Sequence, residues 1–153
     1  MEPQPEFIQS EQSVVVNGYG AFVVNNIRTQ GAPDKLVDVI AGGPVFEAPV
    51  GCERVEWDPQ TRQWKSAWTR NNVVGTSMVP AMSSVSNIAF INGYIKQDGW
   101  EVTGMDWDTG ETVHRTIFGQ DNLGNGAYAI IQFLENGDLL FNSIGGAARV
   151  KLE

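Results

Sequence analysis

The sequence has one histidine, His114, and one cysteine, Cys52, so a nucleophilic site of the Ser-His-Asp or Cys-His kind has to use one or both. His114 stands between Val113 and Arg115 in a stretch that reads as a strand, and no Gly-x-Ser-x-Gly elbow occurs in the chain. It is expected to be a surface or half-buried strand histidine. A lone cysteine forms neither an intramolecular disulfide nor a multi-cysteine zinc site, and Cys52 is expected to be a buried thiol. Asp106 and Asp108, followed by Gly110, resemble the opening of a calcium loop, in which oxygen ligands on alternate residues converge on one cation. No bidentate Glu follows at the expected distance, and the same residues suit a tight turn. Calcium at Asp106 and Asp108 is one reading and turn chemistry the other; no other cofactor is expected. Glu101, Asp106, Asp108 and Glu111 would supply a glycosidase pair only if two of them stood at a fixed separation.

Aromatic residues are the second resource. Trp57, Trp64, Trp68 and Trp107 are the candidate ligand-binding residues, because aromatic rings on strands stack on sugar rings or peptides. Their competing role is to fill the space between sheets. Gly42-Gly43, Gly145-Gly146 and Gly124-x-Gly126 lack the strand–helix setting of a phosphate loop and read as bulges or turns.

The elements that must position these residues are strands. No window keeps an i, i+3, i+4, i+7 apolar spacing free of Gly or β-branched residues, and helix is expected in less than about a tenth of the chain. Asn17-Gly18 lies between apolar runs at 13–16 and 21–24, a hairpin signature because both residue types accept positive φ. The same device is expected at Asn92-Gly93 after 88–91, and at Asn136-Gly137 between 130–134 and 139–141. Residues 35–40 read as a further strand, and 53–57 with 64–69, and 100–106 with 112–118, as pairs. Irregular stretches are expected at 28–34, 41–50, 71–84 and 119–126. The expected organisation is a flexible N-terminal segment, 1–12, carrying Pro3 and Pro5, and a single all-β domain over 13–153.

Composition narrows the partners. With 18 acidic and ten basic residues the formal charge is −8, and no basic run occurs, which disfavours nucleic acid and anionic membrane surfaces. The first residues show neither a basic region nor the apolar core of a signal peptide, and no apolar stretch is long enough to span a membrane. If the chain is complete, a cytoplasmic location is expected.

Two segments resemble each other. Asp58-Pro59-Gln60-Thr61-Arg62 and Asp106-Trp107-Asp108-Thr109-Gly110 each fit strand, Asp-x-x-Thr, strand, at an offset of 48 residues. Aligning the Trp-Asp dipeptides at Trp57 and Trp107 gives an offset of 50 instead. These residues resemble the repeat of quinoprotein-like β-propellers, whose blades carry a strand, an Asp-x-x-Thr-Gly turn and a return strand that often holds Trp. Asp106 to Gly110 fits that turn in full, whereas Arg62 stands where the Gly belongs. Residues 13–18 and 87–93 resemble earlier strands of a blade, and 130–143 part of a further one. WD-type propellers share the turn, but their Gly-His element is missing, since His114 follows the Trp-Asp.

The resemblance implies antiparallel sheets arranged as about three propeller-like blades, fewer than the four to eight of a closed ring. A single β-barrel or sandwich is the alternative. It implies a fold and not an activity, because the vicinal cysteine pair of some redox members cannot exist here. The expected function is a non-catalytic scaffold or binding module for a protein or small-molecule ligand. The alternatives are a C-terminal fragment of a quinoprotein-like or hydrolase propeller enzyme, and a small barrel binding a hydrophobic ligand. A three-blade array exposes two outer faces, expected to carry Val14, Val16, Phe22 and Val24 at one end and Ile131, Phe133, Leu139 and Phe141 at the other. Pairing of such faces predicts a homodimer.

Overall fold

The computed structural model describes residues 10, 13–25, 50–75, 79–126 and 129–152. The expected strand at 35–40, the irregular stretches at 28–34 and 41–49, and all of the N-terminal segment except Ser10 lie outside these residues.

The described residues are all-β. The strands are β1 (Val15–Asn17), β2 (Gly20–Val24), β3 (Cys52–Asp58), β4 (Gln63–Arg70), β5 (Ala81–Ser83), β6 (Ile88–Ile95), β7 (Gly99–Asp106), β8 (Thr112–Gly119), β9 (Gln132–Phe133), β10 (Leu139–Ser143) and β11 (Gly146–Val150). The only helical segment among the described residues is a 3-10 turn at Asn122–Gly124. The strands form three antiparallel sheets, ordered β1-β2-β3-β4, β5-β6-β7-β8 and β11-β10-β9. In the first two, every strand pairs with its neighbour in sequence, the simplest way to satisfy the backbone with short connections.

Side-chain alternation then stacks the sheets. On β6, Ala89 and Ile91 point one way and join Met105 in a core cluster with Phe22, Val24 and Cys52 of the first sheet. Phe90, on the other face, joins Val102 and Ala81 in a second cluster with Leu139, Phe141 and Val150 of the third sheet. The second sheet therefore lies between the other two and is apolar on both faces. Each fully buried Phe or Leu in these layers contributes about 1.5–3 kcal/mol of burial free energy.

The turns follow the sequence at some places and depart from it at others. At the β1–β2 hairpin Asn17 pairs with Gly20, so the two-residue loop is Gly18-Tyr19, one residue later than expected. Only Gly18 carries positive φ there, at 58°. Asn136-Gly137 does turn, with Gly137 at φ 89° and the Leu134 N–H donating to the Asp138 carbonyl at 2.8 Å. Asn92-Gly93 does not. Both residues sit inside β6, paired with Val102 and Glu101, and the chain turns at 96–98 instead. Buried Asn92 donates from Nδ2 to the carbonyls of Glu101 (2.8 Å) and Gly124 (3.2 Å), and its Oδ1 accepts from the Gly126 N–H (3.0 Å). A Cβ on Gly93 would lie 1.9 Å from the Val74 carbonyl oxygen, so this glycine serves the close approach of a neighbouring backbone.

The expected outer faces hold for Val14, Val16 and Phe133, which are exposed, and not for the other five residues. Phe22, Val24, Ile131, Leu139 and Phe141 are buried between sheets. Val14 and Val16 are exposed, because neighbours in a strand point to opposite faces.

Candidate functional site

The four candidate tryptophans divide into two pairs. Trp68 and Trp107 belong to the packing between the first and second sheets. The Trp68 Nε1–H donates to the Trp107 carbonyl at 2.8 Å, and its ring lies 5.6 Å from that of Phe22. Trp107 is buried, with the Arg54 guanidinium 5.1 Å above its ring.

Trp57 and Trp64 are directly opposed on β3 and β4, with ring centroids 5.3 Å apart. They occupy the face of the first sheet that points away from the second, because alternate residues Cys52 and Phe22 point inward. Trp57 is half-buried, whereas Trp64 is exposed, as are Val16 and Tyr19. Val16, Gly18, Tyr19, Gly20, Trp57 and Trp64 line a shallow hollow of about 410 Å³. A second hollow of about 360 Å³ shares Tyr19 and Trp57 and continues along Pro59, Lys65 and Ala67. Aromatic walls with few polar groups recognise flat or apolar surfaces.

The acidic candidates have assigned partners. Asp106 Oδ1 accepts from the N–H of Asp108 (3.0 Å) and Thr109 (2.8 Å) and from the Thr109 hydroxyl (3.0 Å). The Thr109 N–H above all holds this carboxyl below its usual range. Asp108 Oδ2 accepts from Asn87 Nδ2 at 2.8 Å. Among the described residues no three His, Cys, Asp or Glu side chains are grouped so as to hold a metal ion.

Glu101 and Asp106 lie on opposite faces of β7 by strand parity, so they do not converge on one bond. Glu101 is buried, accepting from the Thr103 hydroxyl at 2.9 Å, from Arg115 Nε at 2.7 Å, and from the second Arg115 nitrogen. Arg115 also donates to Asp98 at 2.5 Å. These residues line a polar cleft of about 360 Å³ that includes Arg70 and Asn72 at the end of the first sheet. The sequence singles out Glu101, but neither Arg115 nor Asp98. The available signal is the strand pairing of 100–106 with 112–118, which brings position 115 near 101 and 103.

His114 is half-buried, with Nε2 2.9 Å from the Thr116 hydroxyl and its ring edge-on to Phe90. Burial lowers its pKa below the ordinary imidazole value. Cys52 is buried, and burial pushes its thiol up to about 12.

No protein-family model matches the chain. The chain is 28% identical, over 147 residues, to an uncharacterized protein of Archaeoglobus fulgidus. The match takes in 92% of this chain but spans only 28% of that relative's length.

Proposed function

We propose that this chain is a segment of a β-propeller-type scaffold that works by binding and not by catalysis. The observation that carries the reading is the succession of antiparallel sheets packed face to face, two of them the four-stranded meanders from which propellers are built and the third of three strands. Two further features support it. The turns at Asp58 and Asp106 close the third and fourth strands of successive sheets with the same hydrogen bonds. The matched archaeal protein extends far beyond the aligned region, with room for additional sheets. The aromatic hollow bounded by Tyr19, Trp57 and Trp64 is the binding surface in this reading, for a protein or small-molecule ligand.

Two measurements test it. Apart from the isolated parallel bridge between Val79 and Ile130, cross-strand nuclear Overhauser contacts on the labelled chain should stay within each of the three sheets; a ladder continuing from β4 or β8 into another sheet would mean a barrel. Chromogenic esters, glycosides and phosphates should show no turnover above a protein-free blank. Turnover abolished by Glu101→Gln or His114→Ala would overturn the binding role.

A further inference from the structure

We propose that the cleft between the first and second sheets, walled by Arg70 and Asp98, binds a small zwitterion: an α-amino acid with an apolar side chain. This cleft shares no residue with the aromatic hollow and is a second site beside it.

Strand parity builds the cleft. Cys52, Ile91 and Met105 fill the space between the two sheets with apolar groups. Cys52 pairs with Arg70, Thr103 and Glu101 alternate with Met105 along β7, and Thr103 pairs with Arg115. The same facing surfaces therefore pass from an apolar core to a charged cleft of about 360 Å³. Thr103 and Glu101 are only 3% and 4% exposed there. Burying a carboxylate is costly, and continued core packing would call for apolar side chains at both positions.

The charges select the ligand. Two guanidinium groups, Arg70 and Arg115, and two carboxylates, Asp98 and Glu101, line the cleft, so it is neutral as a whole. Arg115 is engaged by both acids. Among the described residues no carboxylate pairs with Arg70. Its Nε donates to Asn72 Oδ1 at 3.2 Å and its Nη1 to the Gly110 carbonyl. These two bonds hold the guanidinium in place and leave Nη2 with no acceptor among the described residues. On the other wall Asp98 gives Oδ2 to Arg115, and its Oδ1 accepts no hydrogen bond among the described residues.

A held guanidinium recognises a carboxylate, and a spare carboxylate oxygen recognises an ammonium. A simple anion or cation would satisfy one wall and leave the cleft charged, whereas a zwitterion satisfies both. Val73 and Ile95 supply apolar lining for an aliphatic side chain, and the volume suits a small molecule.

Titration of the nitrogen-15-labelled chain with L-leucine tests this. Amide shifts should move and saturate at 70–73, 95–98 and 112–115, with a Kd of about 1 mM or below. 4-Methylpentanoate lacks the ammonium and 3-methylbutylamine lacks the carboxylate; each should bind about tenfold more weakly or worse. Arg70→Met and Asp98→Asn should weaken leucine binding by a similar factor, while Trp64→Ala, in the aromatic hollow, should bind as the wild type does. If either cleft variant fails to fold, the two analogues decide the matter on the wild-type chain. No saturation by about 20 mM leucine, shifts centred on Trp64 instead, or analogues that bind as well as leucine would each overturn the site. The strand pairing and turnover measurements are independent of these titrations, so loss of this site leaves the scaffold role standing.

Discussion

Asp58 and Asp106 hold the same turn in successive sheets. Oδ1 of Asp58 accepts from the N–H of Gln60 (2.9 Å) and Thr61 (3.2 Å), and Oδ1 of Asp106 from Asp108 (3.0 Å) and Thr109 (2.8 Å). In each turn the aspartate carbonyl accepts from the residue four positions on, Arg62 at 2.8 Å and Gly110 at 2.9 Å. Both of those residues are left-handed, with φ of 55° and 73°.

Gly110 is therefore fixed by backbone conformation and also by space. A Cβ there would lie 2.6 Å from Trp68 Cδ2. Gly110→Val should lower stability by about 1–2 kcal/mol or more, with a matching fall in Tm by calorimetry. Arg62→Gly relieves the same left-handed cost without a clash, and should raise stability by up to about 1 kcal/mol. An unchanged Tm in Gly110→Val would show that the turn does not constrain the fold.

Acid should weaken the protein through three carboxylates. Asp58 is held far below its usual range, first by the Lys65 ammonium and then by hydrogen bonds from Thr61 and Gln60. Asp106 is lowered mainly by the Thr109 N–H, and Asp138 by the Asn136 amide and then Arg149. A carboxyl whose pKa is lower folded than unfolded stabilises the fold above its unfolded value, and that stability is lost as pH falls toward the folded value. The urea midpoint should thus be flat near neutrality and decline below about pH 4. Asp58→Asn and Asp106→Asn should each start lower at neutral pH and decline less steeply. Asp58 and Asp106 are partly exposed, so solvent screening keeps their contributions small, whereas Asp138 is buried against Arg149 and is the least screened of the three.

The Asp-x-x-Thr turns were legible because their chemistry is local: the capping oxygen, the N–H groups it serves and the left-handed residue fall within five positions. Strand pairing across those turns followed for the same reason. Asn92-Gly93 was misleading because the same dipeptide also suits a buried hydrogen-bonding residue beside a small one. What separates the two cases is the Val74 backbone, which no local pattern around position 93 announces. The division of the tryptophans was illegible for a related reason. Parity along β3 places Trp57 opposite in direction to Arg54, but which of the two faces is covered depends on the second sheet. Arg115 and Asp98 became candidates only once β7 and β8 were paired in register.

Gly93 gives a direct test of that long-range contact. With its Cβ position 1.9 Å from the Val74 carbonyl oxygen, Gly93→Ala forces the backbone of β6 away from the segment that follows β4. The expected loss is about 3 kcal/mol or more, the upper end of overpacking costs. Because Asn92 ties the same strand to the 124–126 segment, amide exchange at Gly126 should accelerate as well. A hairpin turn at Asn92-Gly93 would instead tolerate alanine with little change, so one denaturation curve separates the two.

Glu101 and Arg115 provide the last test, because here burial and charge oppose each other. The Glu101 side chain is 5% exposed and that of Arg115 38%, so the acid depends on the arginine for most of the interaction that water would otherwise supply. Glu101→Gln keeps the shape and an acceptor but removes the charge, while Arg115 retains Asp98 as a partner. Its expected cost is about 1–3 kcal/mol, the range for hydrogen bonds to charged groups. Arg115→Met should cost more, since it leaves a buried carboxylate with the Thr103 hydroxyl as its remaining hydrogen-bond partner among the described residues. The double variant should recover part of that loss, because neither charge is then stranded, and urea denaturation of all four proteins measures the coupling. Additive losses would mean that Glu101 and Arg115 act separately and that the cleft between the first two sheets owes its shape to packing alone.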